Sequence, residues 1–323
     1  MSDPELRAAA TAVLDVFAQP VAGDGERFAR ALGRGIAFSD DVLLPDDTLA
    51  VRVRIDDDGP GRWRVDLRDC SVKRGHSAWA IASTDDARLA ALLAFAAFDT
   101  RAGPDARLAE AIALELEPGS WVGHAEPSDD PCFRAFAICR IYDAIVGALE
   151  KAWPDRGRAG SCSLGAIITA RTGEHALVDI VAGGRGGGAD GPGTTWPGPL
   201  LPATTLRGCE GIAVTHAPRE GSAGVGARNG GDGVVARYVL TGPTCVRVAI
   251  DRQHNPPHGL DRAGAGLPAR VHVIDPDGVR RELAPWHEHL LECGNVVEVE
   301  TAGGGGHGFP GWGDIEWDPS ILG

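Results

Sequence analysis

The chain lacks the features that mark several common classes of protein. No apolar run approaches the roughly 20 residues of a bilayer-spanning helix, and residues 1–12 lack the basic and then apolar pattern of a signal peptide. Lysine and arginine number 31 against 45 aspartates and glutamates, so the net charge is −14 and disfavours general nucleic-acid binding. We therefore expect a cytoplasmic protein that binds neither a membrane nor nucleic acid.

Aromatic residues and paired cysteines are also scarce. Aromatics make up 6% of the 323 residues, so alanine, valine and leucine must fill most of the core. The seven cysteines are scattered and include no Cys-x-x-Cys pair, which disfavours a zinc knuckle or a disulfide framework. We predict buried or partly buried free thiols.

Common nucleophile and nucleotide motifs are missing as well. The sequence has neither a Gly-x-Ser-x-Gly elbow nor a Gly-Lys-Ser/Thr loop. A glycine-rich stretch at 184–191 follows a predicted strand, but no periodic helix follows it, so it fails as a nucleotide-binding loop. Cys162 has no base beside it and is a poor candidate for a nucleophile.

Three stretches carry the spacing of apolar residues that predicts a buried helix face. The first runs over 4–17. The second runs over 85–98, with Thr84 as its N-cap, and the third runs over 132–153 and is ended by Pro154.

Short strands dominate the rest of the chain. Alternating apolar residues at 49–55 and 63–67, joined by a turn, predict an antiparallel hairpin. Further strands are predicted at 112–116, 166–170, 178–182, 234–241, 245–250, 270–274 and 296–300, with a turn at 275–278. The predicted fold is α+β and β-rich, with mostly antiparallel strands, long Gly-rich loops and two or three packed helices.

The composition suggests three portions. Residues 1–37 form an N-terminal helix and lead-in, and residues 38–160 form an α+β portion. Residues 161–323 form a C-terminal portion that is rich in strands and glycine, because Gly and Pro become dense after Pro154.

Three histidines are candidate metal ligands. His287 and His289 are two residues apart, so on a strand they share a face and could chelate a metal ion. The plainer interpretation of that pair is a solvated polar loop. His307 lies among glycines that leave its ring accessible. For this residue a role in a functional site and a purely structural role are equally supported.

Polar residues around a Pro-stiffened turn are candidates for catalysis. Asp251 and Arg252 could pin two loops through charge-assisted hydrogen bonds, and His258 follows two prolines. We take Asp251, Arg252, His258 and His307 as the catalytic candidates. The alternative for Asp251 and Arg252 is a purely structural ion pair.

The end of the chain carries a predicted strand followed by a run of glycines, Gly303–Gly306. Glycine has no Cβ, so such a run can lie close against another backbone or a ligand. A flexible linker mixes glycine with serine and joins two folded bodies. This run contains no serine and instead follows a predicted strand. We predict ordered structure here.

In sequence order these motifs resemble the C-terminal half of hydantoinase B proteins, which include 5-oxoprolinases and large subunits of acetone and acetophenone carboxylases. The matching residues are Asp251-Arg252, Pro257-x-Gly259-Leu260, Gly264-x-Gly266, Val296-Val297-x-Val299-x-Thr301 and Gly303-Gly304-Gly305-Gly306-x-Gly308-x-Pro310. Looser matches upstream lie at 66–71, 117–120 and 183–191, so the resemblance covers about residues 38–310.

Departures from the family pattern bear on activity. The His-His-x-Asp motif that the family associates with its metal and active site has no counterpart in this sequence. The Asp-Phe-x-Gly-Thr-Ser segment has Asp69 and Cys70 where the family has Gly and Thr. The resemblance therefore leads us to expect a shortened relative without the catalytic front half.

The resemblance implies a part in a multi-subunit machine. In such complexes a hydantoinase A-type subunit uses ATP to activate a carbonyl, and a B-type subunit carboxylates a ketone or hydrolyses a lactam. We expect a small accessory subunit, similar to the epsilon subunit of acetophenone carboxylase, that docks on A-type and B-type large subunits. No cofactor is expected on this chain, and ATP and a divalent metal ion are expected on the partner subunits.

The Gly-rich loops at 183–193 and 303–308 are the expected contact or ligand surface. Two alternatives remain open. One is a free-standing metal-dependent amidohydrolase that uses His287, His289, His307 or Asp251 as ligands. The other is a non-catalytic scaffold.

Overall fold

The structure is a computed structural model, which describes residues 36–44, 47–59, 61–70, 82–98, 106–118, 120–124, 128–152, 157–173, 175–195 and 211–310. The helices within these residues are α1 (Thr84–Phe98), α2 (Ala106–Ala111) and α3 (Pro131–Ala152). The strands are β1 (Ile36–Leu44), β2 (Asp47–Asp57), β3 (Trp63–Asp66), β4 (Ala82–Ser83), β5 (Ile112–Glu115), β6 (Val122–His124), β7 (Ala166–Thr172), β8 (His175–Val181), β9 (Ile212–Arg219), β10 (Gly233–Leu240), β11 (Thr244–Ile250), β12 (Arg270–Ile274), β13 (Arg280–Glu282), β14 (Glu288–Leu291) and β15 (Val296–Glu300).

The strands form three main sheets. The front sheet has the order β1-β2-β3-β5, the middle sheet β14-β11-β7-β8 and the back sheet β13-β12-β15-β10-β9. All pairings in these sheets are antiparallel except that of β3 with β5, and the small β4-β6 pair is parallel. The predicted α+β fold with mostly antiparallel strands is confirmed.

Two hydrophobic cores separate the layers. Helices α1 and α3 lie in the first core, between the front sheet and one face of the middle sheet, and the second core lies between the middle and back sheets. On β11, Ala249 belongs to the first core and Val248 to the second. The central strands β7 and β11 are buried on both faces at 166–168 and 248–250, so these stretches read as continuous apolar runs.

The two long helices begin at caps that the sequence only partly indicates. The Ser83 hydroxyl accepts the Asp86 N–H at 3.0 Å, and the Asp86 carboxylate accepts the Ser83 N–H at 2.9 Å. This reciprocal capping box makes Ser83 the N-cap of α1, so the prediction of Thr84 was wrong by one residue. Asp130 caps α3 by accepting the Cys132 N–H at 2.9 Å.

Most predicted strands are confirmed within a few residues, and so are the β2–β3 hairpin and the turn at 275–278. The prediction missed β1, β9, β13, β14 and the two short strands of the β4-β6 pair. All three residues of β13 are exposed and polar, and β9 carries Pro218 at the edge of the back sheet, so neither shows a clear apolar alternation. The predicted helix at 4–17 and Pro154 lie outside the described residues, and the division into three portions stays a prediction.

Five glycine-containing segments pack against one another at the junction of the helices and the two rear sheets. We call residues 159–162, 183–188, 222–231, 257–266 and 302–308 the glycine bundle. Hydrogen bonds between backbones link them, including Gly184 N–H to Ala302 O at 2.9 Å and Gly305 N–H to Gly160 O at 2.9 Å. The predicted order of the Gly303–Gly306 run is confirmed.

The glycine bundle closes because its backbones approach without side chains. A Cβ at Gly184 would lie 1.9 Å from the carbonyl oxygen of Gly231, and one at Gly305 would lie 1.9 Å from that of His258. The glycines at 183–188 and those of Gly303–Gly306 are all buried. The role of the loops at 183–193 and 303–308 as a contact or ligand surface stays a prediction. Among the described residues, no helix has the length and apolar character needed to cross a membrane.

Candidate functional site

One face of α3 is polar although the helix lies in the core. Arg140, Asp143 and Glu150 are buried, with exposed fractions of 1%, 8% and 1%. Their spacing of three and seven residues places them on one side of the helix. That side faces the glycine bundle, because residues 251–258 and 158 supply its partners.

Asp251 and Arg252 pair with this polar face. Arg140 donates to Asp251, and Arg252 Nη2 donates to Asp143 Oδ2 at 2.6 Å. Arg140 Nη1 also lies 3.6 Å from Asp143, so two positive and two negative charges balance in the interior. Arg252 has a φ of 64°, in the left-handed region, and its N–H donates to Asp251 Oδ1 at 2.6 Å.

His258 lies further along the same helix. Its Nε2 is 3.7 Å from Glu150 Oε2, and the other Glu150 oxygen accepts the Arg158 N–H at 2.9 Å. Burial raises the pKa of the Glu150 carboxyl, and the neighbouring His258 ring partly opposes this. The histidine ring is part-exposed, so solvent reaches one side of this pair.

The structure thus brings Asp251, Arg252 and His258 together along α3. His307 lies elsewhere in the glycine bundle, where its backbone exchanges hydrogen bonds with Arg228 at 2.8 and 2.9 Å. The catalytic role of all four residues stays a prediction. What the geometry establishes is that Asp251 and Arg252 fasten to α3 the segment that leads into residues 257–266 of the glycine bundle.

The histidines proposed as metal ligands do not form a cluster in the described part of the chain. His289 Nε2 donates to the Ala284 carbonyl at 2.7 Å, and His287 is exposed just before β14. Within the described ranges, the group of three possible ligands that come within 4.8 Å of one another is His272, Glu298 and Glu300. The metal role of His287, His289 and His307 stays a prediction.

Charges around that group do not suit a cation. Arg280 and Arg237 lie 2.7 and 2.6 Å from Glu298, and Arg219 lies 2.7 Å from Glu300. Three guanidinium groups therefore surround two carboxylates. Burial and the adjacent Arg280 also lower the pKa of the His272 ring. The group is an ion-pair network of the back sheet.

A second buried polar cluster joins the middle and back sheets, and the sequence prediction missed it. Asp179 of β8 is completely buried, and its Oδ2 accepts the Tyr238 hydroxyl at 2.6 Å and His216 Nε2 at 2.8 Å. Burial and the Asp179 charge raise the pKa of Tyr238 well above its usual value. The sequence feature that could have revealed this cluster was Asp179, an aspartate among the apolar residues of β8.

The cysteines are free thiols in the described residues. Cys70, Cys132, Cys139 and Cys162 are buried, whereas Cys293 is exposed against the prediction. Burial raises the pKa of the Cys162 thiol to about 12, so the thiolate needed for a nucleophile is disfavoured. Cys209 lies outside the described residues.

Known proteins share this sequence pattern. The family model of hydantoinase B/oxoprolinase matches residues 8–310. The protein 5-oxoprolinase 1 of Arabidopsis thaliana is 25% identical over 207 residues, which are 61% of this chain and 16% of that protein. An uncharacterized protein of Methanocaldococcus jannaschii is 32% identical over 179 residues, which are 53% of this chain and 31% of that protein.

Solved structures share the fold. Nucleotide-free acetone carboxylase aligns with a TM-score of 0.71 at 12% identity, over 92% of this chain and 48% of that chain. ATP-dependent caprolactamase from Pseudomonas jessenii aligns with a TM-score of 0.64 at 18% identity, over 88% of this chain and 54% of that chain. The chain spans about half the length of these two proteins and a smaller share of the two sequence relatives.

Proposed function

Since the chain belongs to the hydantoinase B/oxoprolinase family, we propose that it is an accessory subunit of an ATP-dependent complex. The complex carboxylates a ketone or hydrolyses a cyclic amide. The chain docks on hydantoinase A-type and B-type subunits, which bind ATP and the divalent metal ion, and it has little activity alone.

The observation that carries this proposal is the internal pairing of the best catalytic candidates. Asp251 and Arg252 are 4% and 3% exposed, and both are bound to charged groups of α3. A catalytic group must reach a substrate, whereas these groups hold two layers of the fold together. The arrangement favours a framework and binding role over independent catalysis.

The relation to ATP-dependent enzymes supports the rest of the proposal. The two solved relatives are described as an ATP-dependent acetone carboxylase and an ATP-dependent caprolactamase. Their substrates are a ketone and a cyclic amide, which both contain a carbonyl group that ATP can activate. We extend this chemistry to the complex in which the chain takes part.

A docking surface for the partner subunits is suggested by exposed apolar side chains. Val225, Leu267 and Phe309 are 55%, 49% and 43% exposed. Their segments are bonded to one another, since Gly264 N–H donates to Val225 O at 2.7 Å and Ala227 N–H donates to Gly308 O at 3.0 Å. Exposed apolar side chains on adjoining segments are typical of a protein interface.

Co-purification with the subunits encoded beside the chain tests the proposal. The tagged chain should retain A-type and B-type subunits through gel filtration. ATP hydrolysis that depends on acetone, acetophenone, 5-oxoproline or caprolactam should fall when the chain is left out. A chain that elutes alone and leaves this ATP hydrolysis unchanged would refute the proposal.

A pair of matched variants sharpens the test. Val225→Asp places a charge on the suggested docking surface and should weaken retention of the partner subunits. Leu290→Asp places the same charge on the exposed β14 edge, where Leu290 is 74% exposed, and should leave retention unchanged. Equal retention by both variants would contradict this placement of the docking surface.

A further inference from the structure

We propose that Arg185 and Tyr142 form a binding site for an oxyanion, either a carboxylate or a phosphate group. The site lies where the glycine bundle meets α3. The binding site itself does not depend on the proposed function, but the identity of its ligand does. In the proposed ATP-dependent complex the ligand is a carboxylated product, a ring-opened acid or a phosphorylated intermediate.

The position of Arg185 is fixed by its backbone. It is the one residue with a side chain in the 183–188 segment, and its N–H donates to Thr194 O at 3.1 Å. Its carbonyl accepts the Gly231 N–H at 2.8 Å. A Cβ on the following residue, Gly186, would lie 1.8 Å from the Ala159 carbonyl oxygen. The glycine bundle therefore holds this single side chain on a rigid support.

The charge of Arg185 is not neutralised within the described part of the chain. Its guanidinium makes no hydrogen bond or ion pair with a described residue. Asp190, which acts on it electrostatically, is bound through both oxygens to Arg158 at 2.7 Å. Other buried or part-buried arginines have carboxylate partners, among them Arg134 with Asp86, Arg140 with Asp251, Arg219 with Glu300, Arg247 with Asp130 and Arg252 with Asp143.

A part-buried charge that has no partner among the described residues is unfavourable in the protein alone. Arg185 is part-buried, and its pKa is lowered by burial and by the neighbouring positive charge of Arg158. A guanidinium in such a position gains most from an anion that accepts its hydrogen bonds. Because the group is only part-buried, a ligand can reach it from solvent.

Tyr142 supplies a second group of the required kind. It lies on α3, and the Arg185 guanidinium is near enough to favour the ionised form of its hydroxyl, although burial outweighs this effect on the pKa. Burial raises the pKa of Tyr142, so the hydroxyl stays protonated near neutral pH and can donate a hydrogen bond. A guanidinium and a neutral hydroxyl donor together recognise the oxygens of a carboxylate or a phosphate.

Calorimetric titration of the isolated chain tests the site. Inorganic phosphate and acetate are the two probes, and neutral acetamide is the control ligand. We expect an oxyanion to bind the wild type, with at least about tenfold weaker binding to Arg185→Gln because charge-assisted hydrogen bonds are lost. Arg185→Lys keeps the charge without the fork and should bind with intermediate affinity. Arg270→Gln removes an exposed charge on β12 and should bind like the wild type.

The outcomes separate the two ligands. Binding of phosphate alone supports a phosphoryl group as ligand, and binding of acetate alone supports a carboxylate. Absence of binding by the wild type, or equal binding by the wild type and Arg185→Gln, overturns the proposal. An equal loss in Arg270→Gln also overturns it, since the effect would then come from net charge.

Thermal unfolding gives a second readout that does not need tight binding. In buffer without phosphate or carboxylate, Arg185→Met should melt at a higher temperature than the wild type because a part-buried charge with no described partner is removed. Added phosphate or acetate should raise the melting temperature of the wild type more than that of Arg185→Met, because general salt stabilisation acts on both proteins. A lower melting temperature for Arg185→Met in anion-free buffer contradicts the site.

These measurements are independent of the complex. Failure of the partner subunits to co-purify leaves anion binding by the isolated chain intact. Conversely, a chain that binds no anion can still complete the ATP-dependent complex. The two proposals can therefore fail separately.

Discussion

At the scale of single residues, Glu150 couples the fold to pH. Its carboxyl is buried at the end of α3, where burial raises its pKa above the usual value of 4.5. Between these two pKa values the folded protein binds more protons than the unfolded chain. The free energy of unfolding therefore falls as the pH rises through that window.

A Glu150→Gln variant should remove this dependence. The glutamine side chain keeps an oxygen for the Arg158 N–H, so the local geometry is preserved. We expect the stability of the variant relative to the wild type to rise as the pH increases from about 4.5. Urea unfolding of the wild type and the variant between about pH 4 and pH 7 measures this difference in stability. Glu117→Gln removes an exposed carboxylate and is the control. A constant difference across this range would count against the buried-carboxyl argument.

Residue identity alone did not reveal the candidate site. Asp251 and Arg252 attract notice in the sequence as adjacent opposite charges, and a buried pairing was one of the two interpretations. Their partners Arg140 and Asp143 lie about a hundred residues earlier, at separations of 111 and 109. Helical periodicity shows that the two partners share a face, but it does not show what lies opposite.

At the scale of secondary-structure elements, the stability of α1 depends on its N-terminal capping residues. Ser83 and Asp86 exchange two hydrogen bonds, whereas the Thr84 hydroxyl makes only a 3.5 Å contact with the Gly123 carbonyl. We expect Ser83→Ala to lower the free energy of unfolding by about 1 kcal/mol, and Thr84→Ala to have a smaller effect. Chemical denaturation distinguishes them, and a larger effect from Thr84→Ala would reverse the assignment of the cap.

The close packing of the glycine bundle can be tested directly. In Gly184→Ala the new methyl group would meet the Gly231 carbonyl at 1.9 Å, in a position where both backbones are hydrogen-bonded. We expect a loss of more than about 3 kcal/mol or failure to fold, because neither backbone can move alone. The comparison is Gly242→Ala, where the nearest atom would be 3.8 Å away.

Circular dichroism melts of the two alanine variants measure this difference. Gly242→Ala should unfold close to the wild type. A Gly184→Ala protein that melts like Gly242→Ala would show that the segments of the glycine bundle are less closely packed than described. The sequence marked these glycines correctly as ordered, and their role in a contact or ligand surface stays a prediction.

At the scale of the whole molecule, polar contacts hold the layers in register. The Asp251–Arg140 and Arg252–Asp143 pairs join the glycine bundle to α3. Asp179 joins the middle sheet to the back sheet through Tyr238 and His216. Apolar packing favours stacking of the layers, and these directional contacts select one relative position.

The two tyrosines of the sequence provide a matched test of the sheet-to-sheet contact. Tyr238→Phe removes a donor from the buried Asp179 carboxylate and should lower the free energy of unfolding by about 1.5–3 kcal/mol. Tyr142→Phe removes a hydroxyl that bonds no described residue and should change it by less than about 0.5 kcal/mol. Equal losses in urea unfolding would contradict a special role for Asp179.

The sequence by itself determined the positions of the two long described helices, most strands and the order of the glycine run. These features follow from apolar periodicity, turn residues and the missing Cβ, which act over short stretches of chain. Tertiary structure alone decided which polar groups meet, which glycines are buried and that Arg185 pairs with no described carboxylate. A local pattern fixes the face that a residue occupies, but its partner comes from a distant segment that only the packing of the layers brings near.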